Sequence, residues 1–261
     1  MRILAIADTP ERLLYDNFSP ERWRSRVDLV VSCGDLDRTY LEFLVSVLDV
    51  PLLYVAGNHD TAYHAHAPEG CEDIDGRVVR MGDLRIAGIA GCMQYNAGSD
   101  AYQYTERQMD RKMRQLGFKA WRAGGVDLVV SHAAPVRCPD FERCPAPVGP
   151  GRSCAHPECP AHLDVCLDAG DRCHRSFDTF RRFALHHKPA YWLHGHNHLT
   201  YSWAPRLSTI GETDVINAYG HYLLDTDAAA RRRILPIVAT SSSALGPSSS
   251  TAAPGPSGPS A

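Results

Sequence analysis

Short apolar runs that each end in a polar motif recur along the 261-residue chain. Four of these runs indicate β-strands, because β-branched and other apolar residues dominate them, and a fifth run is shorter. Helical patterns alternate with the runs, and this alternation is typical of α/β layering. The five runs cover residues 3–7, 27–32, 52–55, 128–130 and 191–193.

The remaining segments predict further helices and strands, and then a tail. Residues 1–239 are predicted to form one domain, because the tail at 240–261 consists of Ser, Pro, Ala and Gly and cannot bury apolar surface. The other predicted elements are helices from Thr9-Pro10 to Leu14 and over 39–47, 105–116 and 176–186, a hairpin over 77–90, and strands of a second sheet over 213–218, 222–224 and 233–238.

The polar motifs that follow the five runs contain residue types that bind metals. Strands of one sheet deliver their C-terminal residues to one edge, where open α/β sheets place their sites. Asp, Asn and His gathered at such an edge predict a two-metal site, in which ions roughly 3.5–4 Å apart activate water and hold the attacking and leaving oxygens. The motifs are Asp8, Gly34-Asp35, Gly57-Asn58-His59-Asp60, Ser131-His132 and Gly195-His196-Asn197-His198.

This ordered series resembles the calcineurin-like metallophosphoesterase superfamily over about residues 1–225. An uncharacterised bacterial branch of phosphoesterases within it is similar at Cys33–Asp37, Asp171-x-x-His174-Arg175 and Val215–Tyr219. The resemblance implies a four-layer α/β/β/α sandwich, here with a Cys-rich insertion. It also implies two divalent ions (Mn, Fe or Zn) and hydrolysis of a phosphate ester, with a phosphodiester favoured, through a metal-bound hydroxide.

The same resemblance implies a role for each matching residue. Asp35 is expected to bridge both ions, and His59 is expected to contact phosphate and protonate the leaving oxygen, with Asp60 orienting it. The other expected ligands are Asp8 and His198 for one ion and Asn58, His132 and His196 for the other.

The first motif departs from the superfamily pattern. That pattern is Asp-x-His, whereas this chain has Asp8-Thr9-Pro10, and proline does not ligate metal. Glu11 is one candidate replacement, although an acidic residue in the first turn of a helix has a simpler explanation. Three protein ligands plus water still make an acceptable catalytic set. The alternative function is a non-catalytic scaffold that keeps the metallophosphoesterase fold.

Three further residues are weaker candidates for substrate binding. Tyr95 follows Gly91 in a loop predicted to border the site, and His174 and Arg175 are candidates to line a phosphate pocket. The alternative for His174 is a capping role at the helix that begins near Ser176.

The segment from Cys138 to Cys173 holds six of the nine cysteines. Its ligand types and short spacings suit a structural zinc, but they match no common finger. The alternative is a divergent loop that is rich in cysteine, and disulfides are disfavoured because no secretion signal is evident. The candidate zinc ligands are Cys154, His156, Cys159, His162 and Cys166.

Composition limits the partners and the location. The net charge of −3 argues against long nucleic acids. The resemblance implies a small phosphate ester as the partner. No apolar stretch is long enough to span a bilayer, so no membrane association is expected. The first strand begins at once, without a signal peptide, which predicts a cytoplasmic location. The oligomeric state does not follow from the sequence.

Overall fold

The computed structural model describes residues 1–15, 19, 23, 25–96, 101–135, 176–199 and 206–227. In this part of the chain two β-sheets pack face to face, and α-helices cover the outer face of each sheet. The predicted four-layer α/β/β/α sandwich is therefore confirmed. The Cys-rich insertion, the run at 233–238 and the tail lie outside the described residues.

The first sheet contains β1 (Arg2–Ala7), β2 (Leu29–Ser32), β3 (Leu52–Tyr54), β4 (Glu72–Asp73) and β13 (Gly220–Asp225). Its spatial order is β13-β1-β2-β3-β4, and β1 to β4 are parallel to their neighbours. β13 runs antiparallel to β1, with Leu224 opposite Ile3. The prediction that the run at 222–224 joins the second sheet is therefore wrong, because this strand completes the first sheet.

The second sheet contains β5 (Val78–Met81), β6 (Leu84–Ile89), β9 (Leu128–Ser131), β10 (Tyr191–His194), β11 (Leu207–Ile210) and β12 (Thr213–Asn217). Its spatial order is β11-β12-β10-β9-β6-β5, with the predicted hairpin β5-β6 at one edge. Two short strands, β7 (Cys92–Met93) and β8 (Gln103–Tyr104), pair in a small separate sheet.

The helices with bounds in the described residues are α1 (Arg12–Tyr15), α2 (Arg38–Leu48), α3 (Glu106–Arg122) and α4 (Asp178–His187), with a 3-10 helix at Thr61–His64. α3 begins with a capping box between Thr105 and Gln108, as helix N-termini favour. It ends six residues later than predicted, because Leu116 and Ala120 continue its buried face past Gly117. No helix of the described residues is long and apolar enough to cross a membrane.

The central strands of the second sheet are buried on both faces. Leu128 and Val130 of β9 pack toward the first sheet, whereas Val129 packs with residues of α3 and α4. β10 repeats this alternation, with Leu193 inside and Trp192 beneath the helices. A side-chain period of two and burial on both faces explain why these strands appear in the sequence as continuous apolar runs.

Candidate metal centre

The predicted motifs lie where strands of both sheets end. β1, β2 and β3 deliver their motifs from the first sheet, and β9 and β10 deliver theirs from the second. Two contacts join these edges: the backbone N–H of His196 donates to Asp8 Oδ1 at 2.9 Å, and His132 Nδ1–H donates to the carbonyl of Cys33 at 2.8 Å. The expectation of a single sheet edge is therefore wrong, because the site lies between two.

Three candidate ligands have a left-handed backbone, which non-glycine residues rarely adopt. The φ angles are +65° for Asp8, +57° for Asp35 and +66° for His196. Each such residue costs on the order of 1–3 kcal/mol and persists when its surroundings enforce it, as happens at functional sites. The chain thus adopts an unfavourable backbone at three of the positions where sequence patterns predict metal ligands.

Asp35, His132 and His196 form a group with the geometry of a metal-ligand set. One ligand atom from each residue lies within 4.8 Å of the other two. Asn58 adds an amide oxygen, since its Oδ1 is 3.1 Å from His132 Nε2. Two imidazoles, a carboxylate and an amide oxygen suit a divalent transition metal such as Mn, Fe or Zn, so the residues fit the predicted ion.

The orientation of His132 is fixed by its surroundings. The ring is fully buried, and the Nδ1–H bond to Cys33 leaves Nε2 facing Asp35 Oδ2 at 3.3 Å. Such a backbone partner sets the tautomer of a metal-binding histidine and increases its basicity. Burial lowers the pKa of His132, but the Asp35 carboxylate outweighs burial and raises the pKa to about 9.

The carboxylates of the site titrate in opposite directions. Burial raises the pKa of Asp35, but His132 and the amide of His59 outweigh burial and hold that pKa well below its usual range. Burial raises the pKa of Asp8 to about 7, and the Asp35 charge adds to this effect. Asp35 therefore stays ionised, whereas Asp8 and His132 carry protons near neutral pH until a cation displaces them.

Gly57 leaves room for the ligands at the start of its loop. A Cβ at this position would collide with Asp35 Oδ1 and lie 2.7 Å from His132 Cε1. Gly195 has the same function beside Asp8, where a Cβ would lie 2.9 Å from Oδ2. These glycines are therefore required for close approach of backbone to ligand.

The ligands predicted for the other ion, Asp8 and His198, also lie near each other. His198 Nε2 lies 3.7 Å from Asp8 Oδ1, and its ring packs beside Tyr219 with centroids 4.9 Å apart. Pro10 is exposed, and Glu11 faces His221, whose Nδ1 is 3.0 Å from Glu11 Oε2. This contact with His221 gives the Glu11 carboxylate a partner other than a metal ion.

His59 and Asp60 occupy different environments. The side chain of His59 is 76% exposed, and its Nε2 is 4.0 Å from Asp35 Oδ2. The Asp60 carboxylate is buried and accepts hydrogen bonds from the backbone amides of Asp35 and Gly57, each at 2.8 Å. Burial raises the pKa of Asp60 to about 6. The Asp60 carboxylate therefore binds backbone amides of the loops, whereas its predicted role was to orient the His59 ring.

Tyr95 contacts a candidate ligand. Its hydroxyl accepts a hydrogen bond from Asn58 Nδ2 at 3.3 Å, which directs Asn58 Oδ1 toward His132. Gln103 Oε1 accepts from the backbone amides of Tyr95 and Asn96 and so holds this loop. The other predicted substrate residues, His174 and Arg175, and the candidate zinc ligands Cys154, His156, Cys159, His162 and Cys166 lie outside the described residues.

Tyr95→Phe is expected to weaken metal binding about tenfold, because loss of the hydroxyl leaves the Asn58 amide without its orienting partner. Groups that orient a metal ligand in this way contribute roughly 10–100-fold to metal affinity. Titration of the metal-free protein with Mn²⁺ measures this change. Tyr104→Phe is the matched control, since its hydroxyl contacts Lys112. Equal affinities for the two variants would contradict the role of Tyr95.

Metal affinity is expected to rise with pH. The pKa values of Asp8 and His132 are raised to about 7 and about 9, so both groups hold protons at pH 6 and lose them as the pH increases. Each proton displaced by the metal adds up to about tenfold in affinity per pH unit below its pKa. Calorimetric titrations between pH 6 and 9 measure this slope, and a pH-independent affinity would contradict the assignment.

Sequence patterns did not identify three residues that contact the site. Cys33 contributes its backbone carbonyl, Tyr219 packs against His198, and His221 pairs with Glu11. The contact of Cys33 was not predictable from its side chain, because every residue has a backbone carbonyl. Tyr219 and His221 follow β12 and lie more than 200 residues from Asp8 in the sequence. The antiparallel pairing of β13 with β1 brings them close.

A four-layer sandwich with Asp, Asn and His at its strand ends defines the metallophosphoesterase class of fold. The model of the calcineurin-like phosphoesterase family matches residues 1–200, so the chain belongs to this family. Family membership and the Asp35–His132–His196 group together support metal-dependent phosphoesterase chemistry in general.

A solved structure gives the same result for the fold. TT1561 of Thermus thermophilus is 12% identical with a TM-score of 0.52, and the match covers 88% of this chain and 96% of that chain. A predicted phosphoesterase from Streptococcus pneumoniae is a more distant likeness, 12% identical with a TM-score of 0.35, and the match covers 86% and 83% of the two chains. No curated protein sequence gives a significant match.

Proposed function

We propose that this protein hydrolyses a small phosphate ester, with a phosphodiester favoured, at a site for two divalent ions. The observation that carries the proposal is the convergence of Asp35, His132 and His196 within 4.8 Å, with two of the three in a left-handed backbone. The proposed ligands are Asp8, Asp35 and His198 for one ion and Asp35, Asn58, His132 and His196 for the other.

Divalent ions, when bound, supply Lewis-acid activation of the phosphate and of the attacking water. The chain contributes the positions of the reacting groups. Asp60 holds the backbone of Asp35, and Asp35 Oδ1 in turn accepts the backbone N–H of His59 at 2.8 Å. These two hydrogen bonds fix the backbone of His59 beside the ligands, where its ring is proposed to protonate the leaving oxygen.

The exposure of His59 supports the preference for a diester. Its ring is largely in solvent, whereas the ligands Asp35 and His132 are buried beneath it. Among the described residues, a leaving group protonated by His59 therefore extends away from the buried ligands. This exposed side of the described residues is where the second ester substituent of a diester is proposed to lie.

The proposal is tested with bis-p-nitrophenyl phosphate and p-nitrophenyl phosphate, each with added Mn²⁺, Fe²⁺ or Zn²⁺. His59→Ala is expected to lower kcat for the diester about 100-fold or more, the usual contribution of a proton donor, and to leave metal affinity unchanged. His66→Ala is the control, because His66 is also exposed and lies seven residues after His59, just beyond the 3-10 helix.

Turnover of the diester that collapses in His59→Ala but not in His66→Ala supports the proposal. Faster turnover of the monoester would redirect it to a phosphatase. Metal binding with no turnover of either ester would contradict hydrolysis and favour a non-catalytic scaffold, for which Pro10 in place of the expected histidine is the sequence feature.

A further inference from the structure

The outer face of α3 carries basic and aromatic side chains in one stripe. Arg107, Arg111, Arg114, Phe118 and Trp121 are all exposed and follow each other at spacings of four and three residues, which places them along one side of the helix. Phe118 is 58% exposed and Trp121 is 71% exposed, with ring centroids 5.8 Å apart. Large aromatic rings so exposed contribute little to the core of this protein.

The acidic residues of α3 face α4. Glu106 accepts hydrogen bonds from the backbone amides of Asp178 and Thr179 at 3.1 and 3.0 Å, and so caps α4. Asp110 pairs with Arg182 and Arg114, each at 2.8 Å. α3 has six basic and two acidic side chains, although the whole chain has a net charge of −3. The solvent-facing side of α3 is therefore a local basic surface.

A groove of about 1020 Å³ lies between α3 and α4 beside this stripe. Met113, Gly117 and Phe183 contribute apolar lining, and Arg114, Arg182 and Trp121 also line it. Asp110 lines the groove as well and pairs with both arginines. A Cβ at Gly117 would lie 3.0 Å from His187 Nε2, so the glycine keeps this part of the groove open. The groove thus combines an apolar lining with guanidinium groups.

We propose that this groove and the adjoining stripe of α3 bind an acidic segment of a partner protein. One apolar side chain of that segment would rest against Met113 and Phe183 in the groove. Its carboxylates would pair with Arg111 and with the N–H groups of Arg114 and Arg182 other than those bound to Asp110. Charge complementarity favours an acidic partner, and arginine binds carboxylates through two parallel hydrogen bonds. Trp and Arg are also the residues most often responsible for binding energy at protein interfaces.

The shape of the surface favours a protein over the other anionic partners. A groove with an apolar lining accommodates an anchoring side chain of a peptide, as in other peptide-recognition surfaces. The rings of Phe118 and Trp121 are tilted by 31°, so they do not form a parallel pair that would hold a base between them, and stacking of a base on one ring alone is the outcome that the oligouridylate test detects. α3 ends just before β9 begins, so Trp121 lies near the N-terminal end of β9, whereas the metal ligand His132 follows its C-terminal end. Binding here therefore leaves the candidate metal centre accessible.

The test selects peptides from a random 12-residue display library on the full-length protein loaded with Mn²⁺. The expected consensus contains several Asp or Glu residues and one aromatic or aliphatic residue. A fluorescein-labelled consensus peptide is expected to bind at least tenfold more weakly to Trp121→Ala and to Arg114→Glu. Arg26→Glu, an exposed substitution in the segment that precedes β2, is the charge-matched control and is expected to bind as the parent does.

Unchanged thermal unfolding midpoints show that the variants are folded, and Trp121→Ala tests the surface without altering the Asp110 ion pairs. Failure to enrich any acidic consensus, or equal binding by all variants, would overturn the proposal. Three other results would overturn it by showing that the surface binds a different kind of partner. These are Trp121-dependent binding to vesicles of phosphatidylcholine and phosphatidylglycerol, to a 20-nucleotide oligouridylate, or to a second copy of this chain in sedimentation velocity.

Discussion

Asp35→Asn is expected to lower metal-dependent hydrolysis on the order of 1000-fold, since several kcal/mol of transition-state stabilisation depend on the ions. Asp35 stays ionised: its Oδ2 lies 3.3 Å from His132 Nε2, and its Oδ1 accepts the backbone N–H of His59. An amide keeps the size of the side chain but removes its charge. Metal content by mass spectrometry and kcat on the diester measure the two effects together.

Asp83→Asn is the control for this substitution, because Asp83 is an exposed residue in the turn between β5 and β6. It is expected to change neither metal content nor kcat. If Asp35→Asn retained both the metal and the turnover of the parent, Asp35 could not be the bridging ligand. Loss of turnover with full metal content would indicate that turnover, rather than retention of the metal, requires the negative charge of Asp35.

Trp192→Ala is expected to lower the free energy of unfolding by about 4 kcal/mol, the usual cost of truncating a buried tryptophan. Trp192 is fully buried and packs against Phe180 and Phe183, with ring centroids 5.4 and 6.1 Å away. Its Nε1–H donates to Ser131 Oγ at 2.7 Å, directly before the ligand His132. The substitution therefore opens a cavity beneath α4 and leaves a polar group without its donor.

Urea unfolding of the metal-free protein measures this loss, because bound metal would add its own stabilisation. Trp121→Ala is the matched control, since its side chain is 71% exposed and its removal is expected to change stability by less than about 0.5 kcal/mol. Similar losses in the two variants would contradict the assignment of Trp192 to the core between the second sheet and its helices.

The strands that bear the motifs were predictable because they are buried. The run at 3–7 became Arg2–Ala7, and the run at 52–55 became Leu52–Tyr54. A strand covered on both faces needs apolar residues at successive positions, so its limits are visible without knowledge of its neighbours. The hairpin of β5 and β6 was predictable for a local reason, namely the Gly82-Asp83 turn between two apolar runs.

The partners of the strands were less predictable. The run at 222–224 pairs with β1, almost the full described length away in the chain, although its pattern is equally compatible with the second sheet. Hydrophobic alternation indicates which face of a strand is buried, whereas pairing depends on backbone hydrogen bonds that every residue offers. For the same reason the sequence did not show that the motifs come from two sheets.

The same distinction between local sequence and distant contacts applies to the residues of the site. The metal-binding types of Asp35, Asn58, His132 and His196 are properties of the residues themselves, and their positions after apolar runs predicted a common location. The contact of Tyr95 with Asn58 and the carbonyl of Cys33 at His132 arise from approach between distant segments. Their sequence neighbourhoods carry no signal of these contacts.

The sequence by itself determined the α/β class, the order of the strands along the chain and the chemical identity of the candidate ligands, because these depend on local composition and spacing. The tertiary structure decided which strands pair, which candidate ligands meet, and that Asp8, Asp35 and His196 hold a left-handed backbone. It also placed the acidic residues of α3 against α4 and left its arginines facing solvent. These outcomes depend on contacts between residues far apart in the chain, and such contacts exist only once both sheets have packed together.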